Sequence, residues 1–116
     1  MATFLPQIDL VSQQENVLHF KTNVSADLLA FKGHFPEFAV FPGVAQLAMI
    51  KTLVAEYFAD LGEIYKMEQL RFQNFVLPNQ DVLISIERNA QTVTFKLSNL
   101  AQQSVASGRI LFKGEQ

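Results

Sequence analysis

The sequence has 116 residues, of which 49% are hydrophobic and eleven are phenylalanine, so it is long enough to form one domain around an apolar core. Its formal net charge of −2 at pH 7 and the lack of a Lys/Arg block argue against nucleic-acid binding. It has no cysteine, which excludes disulfides and thiolate chemistry, and its two histidines, His19 and His34, are too far apart in sequence to favour a zinc site.

The chain carries no pattern typical of export or membrane insertion. The N-terminus lacks a basic segment followed by an apolar run and a cleavage site. The apolar run from Phe38 to Ile50 is interrupted by Pro42 and Gly43 and is too short to cross a bilayer. We therefore expect a cytoplasmic protein. With no repeat and no evident linker, residues 1–116 are predicted to form one domain.

Two strands and a short turn are predicted before residue 30. The strands are Ile8 to Val11 and Asn16 to Val24, the second with one buried face. His19 lies in that second strand, and alternation turns it away from its neighbours, so we expect it at the surface. Ser25 to Leu29 is predicted to form a helical turn with Ser25 as its cap.

One long helix is predicted next. It begins at Pro42 or Gly43 and ends at Leu61, because proline suits a first helical turn and Gly62 suits a helix end. It is apolar nearly all round, which predicts a helix enclosed by the rest of the fold. The apolar positions are Ala45, Leu47, Ala48, Met49, Ile50, Leu53, Val54, Ala55, Tyr57, Phe58 and Leu61.

Alternating segments follow Gly62. Short polar connections separate them at residues 89–91 and 101–103, as in antiparallel hairpins. A helix followed by a meander of long strands predicts the α+β class. The predicted strands are Glu63 to Leu77, Asp81 to Asn89, Thr92 to Leu100 and Ser104 to Lys113.

A histidine lies in a stiff turn just before the helix, in Gly33-His34-Phe35-Pro36. Histidine can exchange a proton near neutral pH. The next turn, Phe41-Pro42-Gly43-Val44, leads into a helix whose first N–H groups lack partners and can hold an oxygen that gains charge. A base beside such donors suits proton abstraction α to a carbonyl. A histidine in a Gly/Pro turn is also often only a turn residue, so the residues alone leave both interpretations open.

These two turns resemble the signature of the hotdog-fold 3-hydroxyacyl-[acyl carrier protein] dehydratases. A second stretch, Phe72 to Pro78, resembles the family strand that ends in a Val-x-Pro-Gly-Asp type of turn, although residues 78–81 here read Pro-Asn-Gln-Asp. The resemblance covers most of the chain. It implies a single hotdog domain, with a long central helix wrapped by a curved antiparallel sheet. Residues 44–47, Val-Ala-Gln-Leu, resemble the aryl polyene branch of these dehydratases.

The resemblance also implies a role for each matching residue. His34 takes the C2 proton, the backbone carbonyl of Val40 orients its ring, and the Gly43 N–H binds the thioester oxygen. In the family, an acid five positions after that glycine handles the leaving hydroxyl, and it comes from the opposite subunit of a dimer. Here that position is Ala48, whose methyl group cannot donate a proton.

Three residues near Ala48 or His34 could contribute to the site. Lys51, one turn further along the helix, could reach back toward the vacant position. Glu37 could line the mouth of the site. Gln46 could hydrogen-bond an acyl or pantetheine oxygen, but it is not an acid. The residues predicted to contact substrate are Phe35, Val40, Val44, Gln46, Leu47 and Ala48, and an acyl tunnel would further involve Phe38, Phe41 and Met49.

Three functions follow from the resemblance. The first is dehydration of a 3-hydroxyacyl-carrier-protein thioester to the trans-2-enoyl thioester. The second is hydrolysis of an acyl thioester, with His34 or Glu37 positioning water. The third is a non-catalytic or half-active subunit whose related partner supplies the acid.

The resemblance implies no metal and no cofactor beyond the phosphopantetheine that carries the substrate. It implies an acyl carrier protein and a homodimer or heterodimer as partners. Carrier proteins of this kind are acidic, so positive side chains near the mouth are expected to help docking. Lys32 is the first choice, followed by Arg71 and Lys66.

Overall fold

The computed structural model describes residues 4–31 and 40–113. These residues form an α-helix, α1 (Gly43–Tyr57), two single turns of 3-10 helix (Leu29–Phe31 and Ala59–Leu61), and a set of antiparallel strands. The strands are β1 (Ile8–Gln14), β2 (Val17–Asn23), β3 (Ile64–Phe72), β4 (Asp81–Asn89), β5 (Thr92–Ser98) and β6 (Ser104–Phe112).

The strands form one sheet in the order β1-β2-β4-β5-β6-β3. β4, β5 and β6 follow one another as hairpins, and their turns contain Ala90 and Gln102 at φ 56° and 65°. β3 pairs with β6 and occupies one edge of the sheet. Two irregularities interrupt that pairing, and one of them contains Gln69 at φ 56°.

The helix packs against one face of this sheet. Alternate residues of β2, β4, β5 and β6 point toward the helix, so β4 buries Val82, Ile84 and Ile86 while the residues between them are half-buried. Met49 and Ile50 are fully buried on the helix side of the same cluster. One helix on a six-stranded antiparallel sheet confirms the α+β prediction.

The predicted end of the helix is wrong. The helix ends at Tyr57 instead of Leu61, because Phe58 leaves the helical region (φ −130°, ψ 52°) and a separate 3-10 turn leads to Gly62. Opposite the sheet, the helix keeps some exposed residues within the described chain. One stripe remains exposed, comprising Val44, Lys51, Thr52, Ala55 and Glu56.

The strand predictions were right in position and partly wrong in length. β4 has the predicted bounds, β1 continues to Gln14, and β5 stops at Ser98. β3 ends at Phe72 instead of Leu77. Hydrogen bonds to β6 and β2 hold the loop that replaces its last residues, and Pro78 in that loop has no N–H to donate to a sheet.

The predicted cap at Ser25 is also wrong. Its hydroxyl bonds the carboxylate of Asp27, and the helical turn forms later, at Leu29–Phe31. The amide oxygen of Asn79 instead accepts from the N–H of Ala26, at 3.0 Å. In residues 4–31 and 40–113, no helix is long and apolar enough to cross a membrane.

Candidate active site

The N-terminus of α1 presents two backbone donors. Pro42 precedes the helix in an extended conformation (φ −72°, ψ 157°), and its carbonyl accepts from the N–H groups of Ala45 and Gln46, at 3.0 and 3.1 Å. The N–H groups of Gly43 and Val44 have no acceptor among the described residues. They therefore carry the partial positive charge of a helix N-terminus without an internal partner.

A cleft of about 490 Å³ opens at this end of the helix. It lies between the start of α1 and the end of β3, so two segments distant in sequence form its walls. The residues that line it are Val40, Phe41, Pro42, Gly43, Gln46, Phe72, Gln73, Asn74 and Phe75.

The ring of Phe72 lies directly over Gly43. A Cβ atom at Gly43 would lie 3.0 to 3.4 Å from three carbons of that ring, closer than comfortable van der Waals contact. The absence of a Cβ atom therefore lets the ring approach the helix N-terminus this closely. Because Phe72 is half exposed (50%), the ring also forms part of the cleft surface.

Backbone hydrogen bonds fix the opposite wall of the cleft. The N–H of Gln73 donates to the carbonyl of Val105 at 2.8 Å, and the Asn74 side chain donates to the carbonyl of Ser104 at 2.6 Å. The N–H of Phe41 donates to the carbonyl of Val76 at 2.7 Å. The segment before the helix is thus tied to the loop after β3, and the cleft has defined walls on both sides.

Gln46 is the buried polar residue of the cleft, with 5% of its surface exposed. Its Nε2 donates to the carbonyl of Phe41 at 3.1 Å. Its Oε1 is buried and has no hydrogen-bond partner among the described residues. The side chain therefore has one satisfied end and one free acceptor.

Some predicted site residues come together here and others do not. Val40, Gly43 and Gln46 share the cleft. Val44 begins the same helix but is 69% exposed, and Leu47 and Ala48 are half-buried outside the set that lines the cleft. The predicted tunnel residues Phe41 and Met49 are buried in the core, although Phe41 also lines the cleft.

Lys51 lies away from the Gly43 cleft. Its side chain is exposed beside a separate, mainly apolar hollow of about 200 Å³ near the other end of the helix, which Val54, Ala55 and Phe58 also line. A lysine that keeps its ammonium group in water beside apolar neighbours needs no catalytic role.

The other residues with predicted roles, in and around the turn that contains His34, lie outside the described part of the chain. These are Lys32, His34, Phe35, Glu37 and Phe38, whose roles remain predictions. His19 is exposed on the outer face of the sheet, beside another hollow of about 460 Å³, as its place in the alternation predicted.

The two other docking candidates are at β3. Lys66 pairs with Glu68, with 3.5 Å between Nζ and Oε2. Arg71 is exposed and has no ion-pair partner among the described residues. It precedes Phe72 directly, so its backbone lies beside the cleft.

The sequence interpretation missed the second wall of the cleft. Phe72 to Phe75 matched a family stretch, but nothing in their spacing indicated that they face Gly43. Two adjacent polar residues between phenylalanines were the available signal, but residues 63–77 were predicted as one continuous strand.

Residues 10–109 match the ApeI-like family, described as ApeI dehydratase. The chain is also similar to the 3-hydroxyacyl-[acyl-carrier-protein] dehydratase FabZ of Ruminiclostridium cellulolyticum, with 33% identity over 100 residues. That match covers 80% of this chain and 69% of the relative.

Two solved structures are similar in fold. The dehydratase heterocomplex ApeI:P from Xenorhabdus doucetiae superposes with a TM-score of 0.83 and 22% identity, covering 91% of this chain and 96% of that one. Zebra fish thioesterase superfamily member 2 superposes with a TM-score of 0.69 and 18% identity, covering 90% and 79%. One helix on a six-stranded antiparallel sheet is thus the hotdog fold of these proteins.

Proposed function

We propose, from the premise that the chain belongs to the ApeI-like dehydratase family, that it takes part in dehydrating a 3-hydroxyacyl-carrier-protein thioester to the trans-2-enoyl thioester. The observation that carries the proposal is the Gly43 N–H at the wall of the cleft, which has no acceptor among the described residues. A thioester carbonyl oxygen that gains charge as C2 loses its proton needs such a donor.

The reaction divides into two proton movements. His34 takes the proton from C2, the electron pair forms the C2–C3 double bond, and the C3–O bond breaks. The leaving hydroxyl takes up a proton and departs as water. His34 is the proposed base, and Val40, whose carbonyl would orient its ring, contributes to the cleft that contains Gly43.

At the position of the family acid, this chain has no residue that can donate a proton to the leaving hydroxyl. Ala48 occupies the position of the family acid and has no titratable group. Lys51 is exposed beside a different hollow, so it does not face the Gly43 cleft of its own chain. We therefore take a half-active subunit as the second candidate function, in which a related hotdog protein supplies the acid.

The partners follow from this chemistry. We propose an acyl carrier protein that presents the substrate on phosphopantetheine, no further cofactor, and a dimer made with a second copy or with a related subunit. The relative from Xenorhabdus doucetiae is itself part of a heterocomplex, which supports the second arrangement. We also propose that residues 1–116 form one domain and that the protein is cytoplasmic.

The test is an assay with matched 3-hydroxyacyl and saturated acyl carrier thioesters, with and without a candidate partner subunit. Formation of the enoyl thioester from the hydroxylated substrate supports dehydration. Release of free thiol from both substrates would instead indicate a hydrolase. Activity only with the partner present supports the half-active subunit.

The base is tested in the same assay. His34→Ala is expected to lower turnover by about 10²- to 10⁴-fold, the usual contribution of a positioned general base. His19→Ala is the matched control, because that histidine is exposed on the outer face of the sheet. Full turnover of His34→Ala would show that another group removes the proton.

A further inference from the structure

The free oxygen of Gln46 requires an explanation. Buried polar atoms in folded proteins nearly always have a hydrogen-bond partner, and an unpaired one destabilises the fold. Gln46 is 5% exposed and its Oε1 is unpaired within the described chain. An apolar residue would avoid this penalty, so the oxygen is suited to a partner that arrives with a ligand.

The hydrogen bonds around Gln46 decide which kind of partner fits. Its Nε2 donates to the carbonyl of Phe41, so turning the amide over would bring two carbonyl oxygens together. Phe41 is itself held through its N–H by the carbonyl of Val76, at 2.7 Å. The amide therefore has a fixed orientation, and its free atom is an acceptor that requires a donor.

The position of Gln46 relates this acceptor to the proposed oxyanion donor. Gln46 lies three residues after Gly43, a rise of about 4.5 Å along the helix axis, and both residues line the same cleft. A 3-hydroxyacyl thioester carries an acceptor at C1 and a hydroxyl donor at C3. The helix thus offers a donor and an acceptor in the order that such a substrate complements.

We propose that Gln46 selects hydroxylated acyl chains, its Oε1 accepting a hydrogen bond from the 3-hydroxyl group while the Gly43 N–H holds the thioester oxygen. This inference rests on the proposed function and assigns the residue that recognises the 3-hydroxyl group of its substrate. An amide oxygen supplies no proton, so Gln46 holds and orients the leaving hydroxyl while the proton comes from another group.

The experiment measures binding to the unmodified protein first, which avoids any effect of mutation on folding. Three pantetheine thioesters of matched chain length are compared by calorimetry, carrying a 3-hydroxyl, a 3-fluoro or no substituent. Fluorine is small but donates no hydrogen bond. The hydroxylated ligand is expected to bind about fivefold more tightly than the other two, the size of one net hydrogen bond.

Two variants then test whether Gln46 causes the preference for the hydroxylated ligand. Gln46→Met keeps the volume but removes the acceptor, so the fivefold preference is expected to disappear. Gln91→Met is the control, because Gln91 is an exposed glutamine in the turn between β4 and β5, outside the residues that line the cleft, and its loss should leave the preference intact. A thermal unfolding curve for each variant verifies that it is folded.

The outcomes separate this inference from the proposed function. Equal binding of the three ligands to the unmodified protein, or a preference retained in folded Gln46→Met, would overturn the role of Gln46 while leaving thioester binding intact. Failure of all three ligands to bind, with and without the partner subunit, would count against the proposed function itself.

Discussion

At the scale of single residues, Gly43 combines two features. Within the described chain its N–H at the cleft has no acceptor, and the absence of a Cβ atom lets the Phe72 ring approach closely. We propose a catalytic role for the N–H, whereas the missing Cβ concerns packing. A substitution can separate them because the crowding partner is a half-exposed ring that has room to move.

Gly43→Ala is predicted to lower turnover more than stability. The methyl group would displace the Phe72 ring at a cost of about 1 kcal/mol, at the lower end of the range for overpacking. Displacing the ring alters the wall of the cleft, so kcat/KM is expected to fall by about tenfold or more. Thermal unfolding and steady-state kinetics measure the two effects.

The double variant Gly43→Ala/Phe72→Leu provides the control. A smaller side chain at residue 72 should restore the lost stability. If Gly43→Ala unfolds the protein and the double variant does not restore folding, contact with the Phe72 ring is not the reason that residue 43 is glycine.

Ala48→Glu tests the missing acid. Residue 48 is half-buried within α1, and glutamate is a good helix former, so the substitution is expected to be tolerated. If proton delivery limits the reaction, dehydration by the chain alone should rise by about 10²-fold, the lower end of general acid catalysis. Thr52→Glu, one turn further along the exposed side, is the control. An unchanged rate would mean that the proton arrives by another route.

The sequence named the cleft residues Val40, Gly43 and Gln46 because they stand in recognisable turns or at the start of a helix. It could not predict the free oxygen of Gln46, since this depends on which atom the Phe41 carbonyl engages. Hydrogen-bond partners of side chains are set by tertiary structure and leave no periodic trace in the sequence.

At the scale of elements, strands with strict alternation were the easiest to predict. β4 has the predicted bounds because Val82, Ile84 and Ile86 alternate with less buried residues between turn residues. β3 was predicted too long because apolar residues continue past Phe72 into the loop. Phe75 is 70% exposed there while Val76 is buried, an arrangement made by bonds to β6 and to Phe41.

The end of α1 is also fixed by contacts distant in sequence. In the 3-10 turn that follows, Asp60 receives two hydrogen bonds from Arg88 of β4, at 2.8 and 2.7 Å. The guanidinium of Arg88 also lies over the Phe58 ring, 5.5 Å from its centre. These hydrogen bonds lower the pKa of Asp60 and raise that of Arg88. The pair thus links the helix end to the sheet.

Asp60→Asn is predicted to lower the melting temperature slightly at neutral pH. A carboxyl group with a lowered pKa stabilises the fold above its unfolded pKa and loses that effect as the pH falls through its folded pKa. The two melting temperatures should therefore converge on acidification below the usual pKa of aspartate. The difference is expected to be small because the pair is exposed.

Glu63→Gln is the control for this pair. It removes a single exposed contact of 3.3 Å, between Lys113 and Glu63, so its effect at neutral pH should be smaller. A difference for Asp60→Asn that is the same at every pH would indicate that the carboxylate charge is not the cause.

At the scale of the whole molecule, several of the large exposed apolar side chains lie on β3, in the loop after it and at the helix N-terminus. Tyr65, Phe72 and Phe75 are 64%, 50% and 70% exposed, and Val44 is 69% exposed. Large exposed apolar side chains that lie together mark contact surfaces. This side of the molecule is where we expect a second hotdog subunit.

Tyr65→Lys is predicted to weaken that association. A charge on the edge strand opposes pairing with another strand, so the sedimentation coefficient should shift toward the monomer value. Leu100→Lys is the control, since residue 100 is 61% exposed in the turn between β5 and β6. If both variants associate as the unmodified protein does, contact lies elsewhere.

The position of β3 at the edge of the sheet affects which subunits can pair with this protein as sequences change during evolution. Within the described chain its backbone is paired with β6 on one side only. Strand pairing uses main-chain groups, which are the same in every sequence. An edge strand of this kind can therefore pair with a related subunit as readily as with a second copy of the same chain. Selection on a catalytic side chain is then relaxed in one gene as long as the other retains it. Under the proposed function, alanine at residue 48 is a change that such a partnership would tolerate.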